Sequence, residues 1–235
     1  MRCPTGEVHI WRIDLDAPVL PRETLAESLS AAERERAAKF RSSQDHDRWV
    51  VAHGAMRRIL AQYAGVQPAQ LVFEAQEHGK PRLAQPLPEI SFSLTHTAGA
   101  ALLAVAGSGR VGVDAEFIRP LSDLQAIARR FFAPAEAQEI MSQDAPAQPA
   151  AFFACWTRKE AFVKALGKGL SIPLDQFTVN VRPEDAPKLL RIDWQEPSSW
   201  YLADLSEQDM AATVAVDTPI TQLRRLSFAS DLSQA

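Results

Sequence analysis

The sequence predicts an α+β protein made of two similar α+β halves, residues 1–108 and 109–235. Two observations carry this expectation. The order of elements is duplicated in outline: each half has a long helix, then a Gly-Lys turn (Gly79-Lys80, then Gly167-Lys168), then antiparallel-looking strands. The 235 residues are 46% apolar, enough to bury one large core or two small ones.

Residues 8–13 read as a first strand. Ser30-Ala31-Ala32-Glu33 is a capping box, which starts a helix predicted to reach about Arg41. Residues 45–63 carry helical periodicity, with Gly65 just past the end. Residues 90–95 alternate, Ile90, Phe92 and Leu94 against Ser91, Ser93 and Thr95, as a half-buried strand does. Residues 100–106 and 111–117 are the next strands, divided by a turn. Ser122-Asp123-Leu124-Gln125 reads as a second capping box, and Pro134 suits the first turn of a short helix. A helix over residues 150–166 stops at Gly167. Strands follow near residues 177–181, 191–194, 200–203 and 211–216.

Charge narrows the function classes. With 25 Lys+Arg against 29 Asp+Glu the formal net charge is −4, which gives no support to nucleic-acid binding. A bound anion has to be held by a local cluster of cations. No apolar run approaches the roughly 18 residues of a membrane span, so no membrane partner is expected. The first residues lack the apolar region of a signal peptide. Cys3 and Cys155 form no metal-ligand spacing, and nothing calls for a disulfide. The expected compartment is a reducing cytoplasm.

Three groups of residues can carry chemistry. In Gly112-Val113-Asp114-Ala115-Glu116, strand alternation puts Asp114 and Glu116 on one face and Val111, Val113 and Ala115 on the other. Paired hard oxygen ligands suit Mg²⁺ shared with substrate phosphates, although a solvated strand face fits the same pattern. In Trp156-Thr157-Arg158-Lys159-Glu160-Ala161-Phe162-Val163-Lys164, Trp156, Glu160 and Lys164 lie on one helical stripe. A third carboxylate with a lysine one turn away is the composition of a metal-plus-phosphate site. In Gly79-Lys80-Pro81 and Ser93-Leu94-Thr95-His96-Thr97, a lysine, hydroxyls and a histidine can hold a phosphate.

These motifs, in this order and at these distances, resemble the motif set of the Sfp-type 4′-phosphopantetheinyl transferases. Gly167-Lys168-Gly169-Leu170-Ser171-Ile172-Pro173-Leu174 extends the last of them in the family manner, and the similar stretches run from about Phe40 to Phe177. The resemblance implies a pseudo-two-fold α+β monomer with coenzyme A in the cleft between the halves. It implies Asp114, Glu116 and Glu160 as Mg²⁺ carboxylates and Lys164 as the pyrophosphate lysine. It places Lys80, Thr95 and His96 at the nucleotide end of coenzyme A, His96 near the 3′-phosphate, with Arg36 and Arg48 as cations at the same end. Glu33 stands where the best-known members have a second lysine, so Glu33→Lys is expected to tighten coenzyme A.

The implied reaction moves the phosphopantetheine arm of coenzyme A onto a serine of an apo acyl- or peptidyl-carrier protein. Glu160 is the candidate base. Direct Mg²⁺ ligation would lower its pKa, so a water on the ion is the alternative. Another Mg²⁺ phosphotransferase fits the carboxylates, but the sequence has no Gly-x-x-x-x-Gly-Lys-Ser/Thr loop. A non-catalytic carrier-binding module fits less well, since Asp114, Glu116, Glu160 and Lys164 stand together. Carrier docking is expected on an apolar surface rimmed by Arg119, Arg129, Arg130 and Arg158.

Overall fold

The computed structural model describes residues 1–84 and 90–229. The chain runs β1 (Glu7–Asp14), α1 (Arg22–Glu27), α2 (Ala31–Ala37), α3 (Ser43–Ala64), β2 (Phe73–Ala75), β3 (Pro81–Leu83), β4 (Ser91–Thr97) and β5 (Ala100–Ala106). It continues through β6 (Val111–Phe117), α4 (Leu124–Phe131), α5 (Pro134–Ser142), α6 (Gln148–Leu166), β7 (Phe177–Val179), β8 (Leu189–Ile192), β9 (Tyr201–Asp204), β10 (Met210–Val216) and β11 (Gln222–Ser227). The fold is mixed α+β and forms two compact units. Met1–Ala75, Pro81–Ser108 and the segment from Gln222 make the first; Gln76–Lys80 and Gly109–Thr221 make the second.

The first unit is a four-stranded sheet in the order β11-β1-β5-β4. Its core joins the odd-numbered residues Trp11 and Ile13 of β1, and Ala101, Leu103 and Val105 of β5, to Val51, Ala55, Ile59 and Leu60 of α3. Strand period meets helix period there, as the two apolar patterns require. The capping box at α2 forms: the Ser30 hydroxyl accepts from the Glu33 N–H at 3.2 Å, and the Glu33 carboxylate accepts from the Ser30 N–H at 2.7 Å. The helix ends at Ala37, a turn short of Arg41.

In the second unit, β6, β10 and β9 form an antiparallel sheet in the order β6-β10-β9, with β7-β8 as a separate hairpin. α6 lies along β6 and β10. Two differences from the sequence expectation stand out. The Ser122 box does not form; α4 begins after Asp123, with no side-chain cap bond. Residues 222–227 form a strand that the sequence pattern does not announce. This segment, Gln-Leu-Arg-Arg-Leu-Ser, pairs parallel with β1 at the sheet edge, so it belongs to the first unit.

Candidate functional site

Asp114, Glu116, Glu160 and Lys164 are brought together within the second unit. Gly112 is the local reason. A Cβ at that position would collide with the Ala161 carbonyl oxygen and the Ala165 nitrogen of α6, so the missing side chain lets the helix backbone settle directly on β6. The alternation that puts Asp114 and Glu116 on the Gly112 face then aims both carboxylates at α6. Asp114 is 5% exposed, and the Lys164 ammonium donates to its Oδ1 at 2.6 Å. Glu116 and Glu160 are half-buried.

The electrostatics follow from that packing. Burial pushes the Glu160 carboxyl above the ordinary range; repulsion from Asp114 and Glu116 adds to the rise, and Lys164 opposes it. Burial also raises Glu116, with Asp114 adding to it and Arg119 and Lys164 pulling down. Such a cluster favours an added cation. Its donors are hard oxygens, which suit Mg²⁺ chemically. Their oxygens are not drawn into a finished ligand set: among the described residues no group of three or more His, Cys, Asp and Glu could hold a metal ion as it stands.

The two charges that precede Glu160 have other employment. Arg158 is 1% exposed and donates to the carbonyls of Asn180, Arg182 and Asp185 at 2.7, 3.0 and 2.9 Å. It ties α6 to the segment after β7 and is no part of a docking rim, contrary to the expectation from sequence. Lys159 is fully buried; it pairs with Glu136 of α5 at 2.8 Å and donates to the Leu174 and Phe177 carbonyls. Together these bonds fix the rotation of α6 and so the direction of Glu160. The apolar periodicity of α5 gives no sign of Glu136; only the packed structure shows it.

Lys80 also falls in the second unit. In the turn between β2 and β3, its ammonium donates to the Val111 carbonyl at 2.7 Å and the Ala165 carbonyl at 3.3 Å. Burial lowers its pKa to about 8, helped by Arg110 and opposed by Asp217.

The first unit holds the remaining candidates. Arg36 lies 6.0 Å over the ring of Trp49, and Trp49 stacks on His53 with centroids 3.8 Å apart. His96 is exposed on the β4 face that carries Phe92 and Leu94, and it lies close enough to His53 to act on it electrostatically. Arg48 follows one residue before Trp49 on α3. Arg36, Arg48 and His96 therefore gather around the first half of α3. Thr95 points to the opposite face of β4 and is buried, so it does not join His96 on one side. Glu33 is held inward: its carboxylate takes the Nε–H of Arg57 at 2.6 Å, and Arg57 is 2% exposed.

His53 carries a pH dependence. Its Nδ1 is bonded to the Trp49 carbonyl, and burial lowers its pKa from 6.5 to about 4. Between those two pH values the unfolded chain binds a proton that the folded chain does not, so stability falls as pH drops through that window. The full loss is on the order of 3 kcal/mol. His53→Phe keeps a ring on Trp49 without the titration, and is expected to flatten this part of the acid limb. Urea denaturation at several pH values checks it; parallel curves for the two proteins would acquit His53.

Comparison with known proteins gives a consistent result. A family model described as the 4′-phosphopantetheinyl transferase superfamily matches residues 110–215, and one described as 4′-phosphopantetheinyl transferase, N-terminal, matches residues 18–108. The 4′-phosphopantetheinyl transferase HetI of Nostoc sp. is 37% identical over 215 residues, covering 90% of this chain and 88% of that protein. A 4′-phosphopantetheinyl transferase of Bacillus subtilis is 30% identical over 210 residues, covering 88% of this chain and 92% of its own. The transferase Sfp of Bacillus subtilis strain 168 is 30% identical over 179 residues, covering 75% and 78%. On the two family models and these relatives, the chain belongs to the 4′-phosphopantetheinyl transferase superfamily.

Proposed function

We propose that this chain transfers the 4′-phosphopantetheine group of coenzyme A to a serine of an apo acyl- or peptidyl-carrier protein, giving holo-carrier and 3′,5′-ADP. The observation that carries the reading is the Lys164–Asp114 contact beside two carboxyls with raised pKa values. In the reaction the serine oxygen bonds to the β-phosphorus and the bond to the 3′,5′-ADP oxygen breaks. The serine proton has to leave as that bond forms. Glu160 is the proposed acceptor while its carboxylate is free of metal, where burial keeps it more basic than usual; with Mg²⁺ held there its basicity would fall, and water is the alternative acceptor. Lys164 supplies positive charge for the departing oxygens.

Asp114, Glu116 and Glu160 would hold Mg²⁺, and the bound ion supplies charge neutralisation for the diphosphate. Arg36, Arg48, Lys80 and His96 are proposed contacts to the nucleotide end; Thr95, buried on the other face of β4, would have to turn or act through its backbone to join them. For Lys80 the ammonium would have to serve coenzyme A together with the two carbonyls it already meets. The pseudo-two-fold relation of the halves, the coenzyme A cleft and the monomeric state belong to the proposal and rest on the resemblance; a cytoplasmic location belongs to it too and rests on the cysteine usage. No helix among the described residues is long and apolar enough to cross a membrane. The carrier is proposed to be acidic, as carriers of this reaction generally are, and for such a partner α4 offers Phe131, 41% exposed, beside the exposed Arg129 and Arg130. Apolar contact with a cationic rim suits an acidic partner.

The test is the intact mass of an apo-carrier after incubation with this protein, coenzyme A and Mg²⁺. A gain of one phosphopantetheine is expected. Binding without a mass gain would point to a carrier-binding module, and an unchanged, unbound carrier to a different phosphotransferase.

A further inference from the structure

Within the first unit, one acidic residue meets a candidate nucleotide contact without a role in the motif set. Residues 14–17 turn the chain at the end of β1, where Asp14 Oδ1 accepts the N–H groups of Asp16 and Ala17 at 3.0 and 2.8 Å. This turn is tied to the β4–β5 hairpin by the Leu15 N–H, which donates to the Gly99 carbonyl at 2.9 Å. From the turn, the Asp16 carboxylate reaches α3 and takes the Nε–H and the Nη2–H of Arg48, each at 2.8 Å. Gly99 leaves the room for this. Its φ of +83° is a left-handed conformation, and a Cβ there would stand 2.8 Å from Asp16 Oδ2 and 4.0 Å from Arg48 Nη2.

We propose that Asp16 is a positioning residue for substrate binding: it holds the Arg48 guanidinium in one plane so that its outer edge receives the 3′-phosphate of coenzyme A. The inference rests on the function proposed above. The Asp16 carboxyl is held below the ordinary range by the hydrogen bond from Arg48, so it stays ionised and doubly accepting near neutral pH. Stability does not account for the pair. The Asp16 side chain is 53% exposed and that of Arg48 23%, and exposed pairs contribute little to folding. What the contact fixes is direction. The carboxylate uses two of the five N–H donors of the guanidinium, on its Nε side. The other three point away from Asp16, in the planar fork that matches phosphate oxygens. Gly99 follows His96 by three residues, so the hairpin that leaves room for the Asp16 carboxylate also carries the histidine expected at the same phosphate.

Ordering a long side chain in advance removes that cost from binding. Asp16→Asn keeps the shape and loses the second acceptor. It is expected to raise KM for coenzyme A about three- to tenfold, with kcat unchanged. KM for 3′-dephospho-coenzyme A should not move, and in an Arg48→Met background Asp16→Asn should have no further effect. Three results would overturn the proposal: an unchanged KM, a lowered KM, which would make Asp16 a competitor for Arg48, or an equal rise for both substrates, which would make its role merely structural. Calorimetric titration with 3′,5′-ADP gives a readout free of turnover, with the same loss expected. Wild-type protein that binds 3′,5′-ADP but transfers nothing would dispose of the proposed function and leave the Asp16 result standing.

Discussion

Asp114→Ala is expected to lower kcat for transfer by about a hundredfold or more while the protein keeps its fold. The size follows from what the residue touches. Its carboxylate holds the Lys164 ammonium at 2.6 Å and faces Glu116 and Glu160 closely enough to raise both carboxyls. Removing charge preorganised around a developing transition state costs about this much where single donors have been deleted. The fold should survive although Asp114 is buried. Its partner Lys164 keeps a side chain that is 32% exposed, so the ammonium can turn to water when the carboxylate goes. The loss of one of three neighbouring negative charges also relieves repulsion between the others. Chelation of Mg²⁺ is expected to reproduce the loss in wild-type protein, and added Mg²⁺ to reverse it. Steady-state kinetics with thermal unfolding of the same preparation decides the matter. Near-normal kcat in the variant would remove the carboxylate cluster from the mechanism, and a collapsed melting temperature would show that Asp114 is needed for packing instead.

The parts of this site that the sequence made legible are those governed by short-range geometry. Alternation along residues 111–117 places Asp114 and Glu116 on one face, and spacing by four places Lys164 one turn beyond Glu160. The residues that escaped depend on contacts distant along the chain. Arg158, Lys159 and Glu160 are three consecutive charges on a helix, and nothing in their spelling separates them. Only the carbonyls of residues 180–185 and the carboxylate of Glu136 select the first two for burial. Similarly, β11 has only two apolar residues, Leu223 and Leu226, and exists because β1 offers it an edge to pair with. Asp16 and Arg48 stand 32 residues apart, and the space they share is set by the backbone of a hairpin far downstream. Gly112 is intermediate: the sequence displays the glycine, but the reason for it is a helix backbone that arrives fifty residues later.

Glu33→Lys is expected to destabilise the first unit by about 3–5 kcal/mol, a large part of the stability of an ordinary domain. Motif comparison alone argues for the opposite kind of outcome, since it puts a lysine at this position and expects tighter coenzyme A binding. The structure gives Glu33 two tasks that a lysine cannot perform. Its carboxylate accepts from the Ser30 N–H, closing the capping box of α2, and a lysine offers no acceptor there. It also accepts from Arg57, whose side chain is 2% exposed against 17% for Glu33. The remaining Arg57 bonds go to the Pro68 and Leu71 carbonyls, which carry no compensating formal charge. The variant would set a second cation against a guanidinium that cannot reach water, and the loss of a cap adds to that cost. Glu33→Gln separates the two tasks: it keeps an acceptor for Ser30 and removes only the charge, so its loss should be smaller than that of the lysine variant. Urea denaturation followed by far-ultraviolet circular dichroism measures all three proteins. A lysine variant as stable as wild type, with coenzyme A bound more tightly, would mean that Arg57 finds another partner and that Glu33 faces the nucleotide after all.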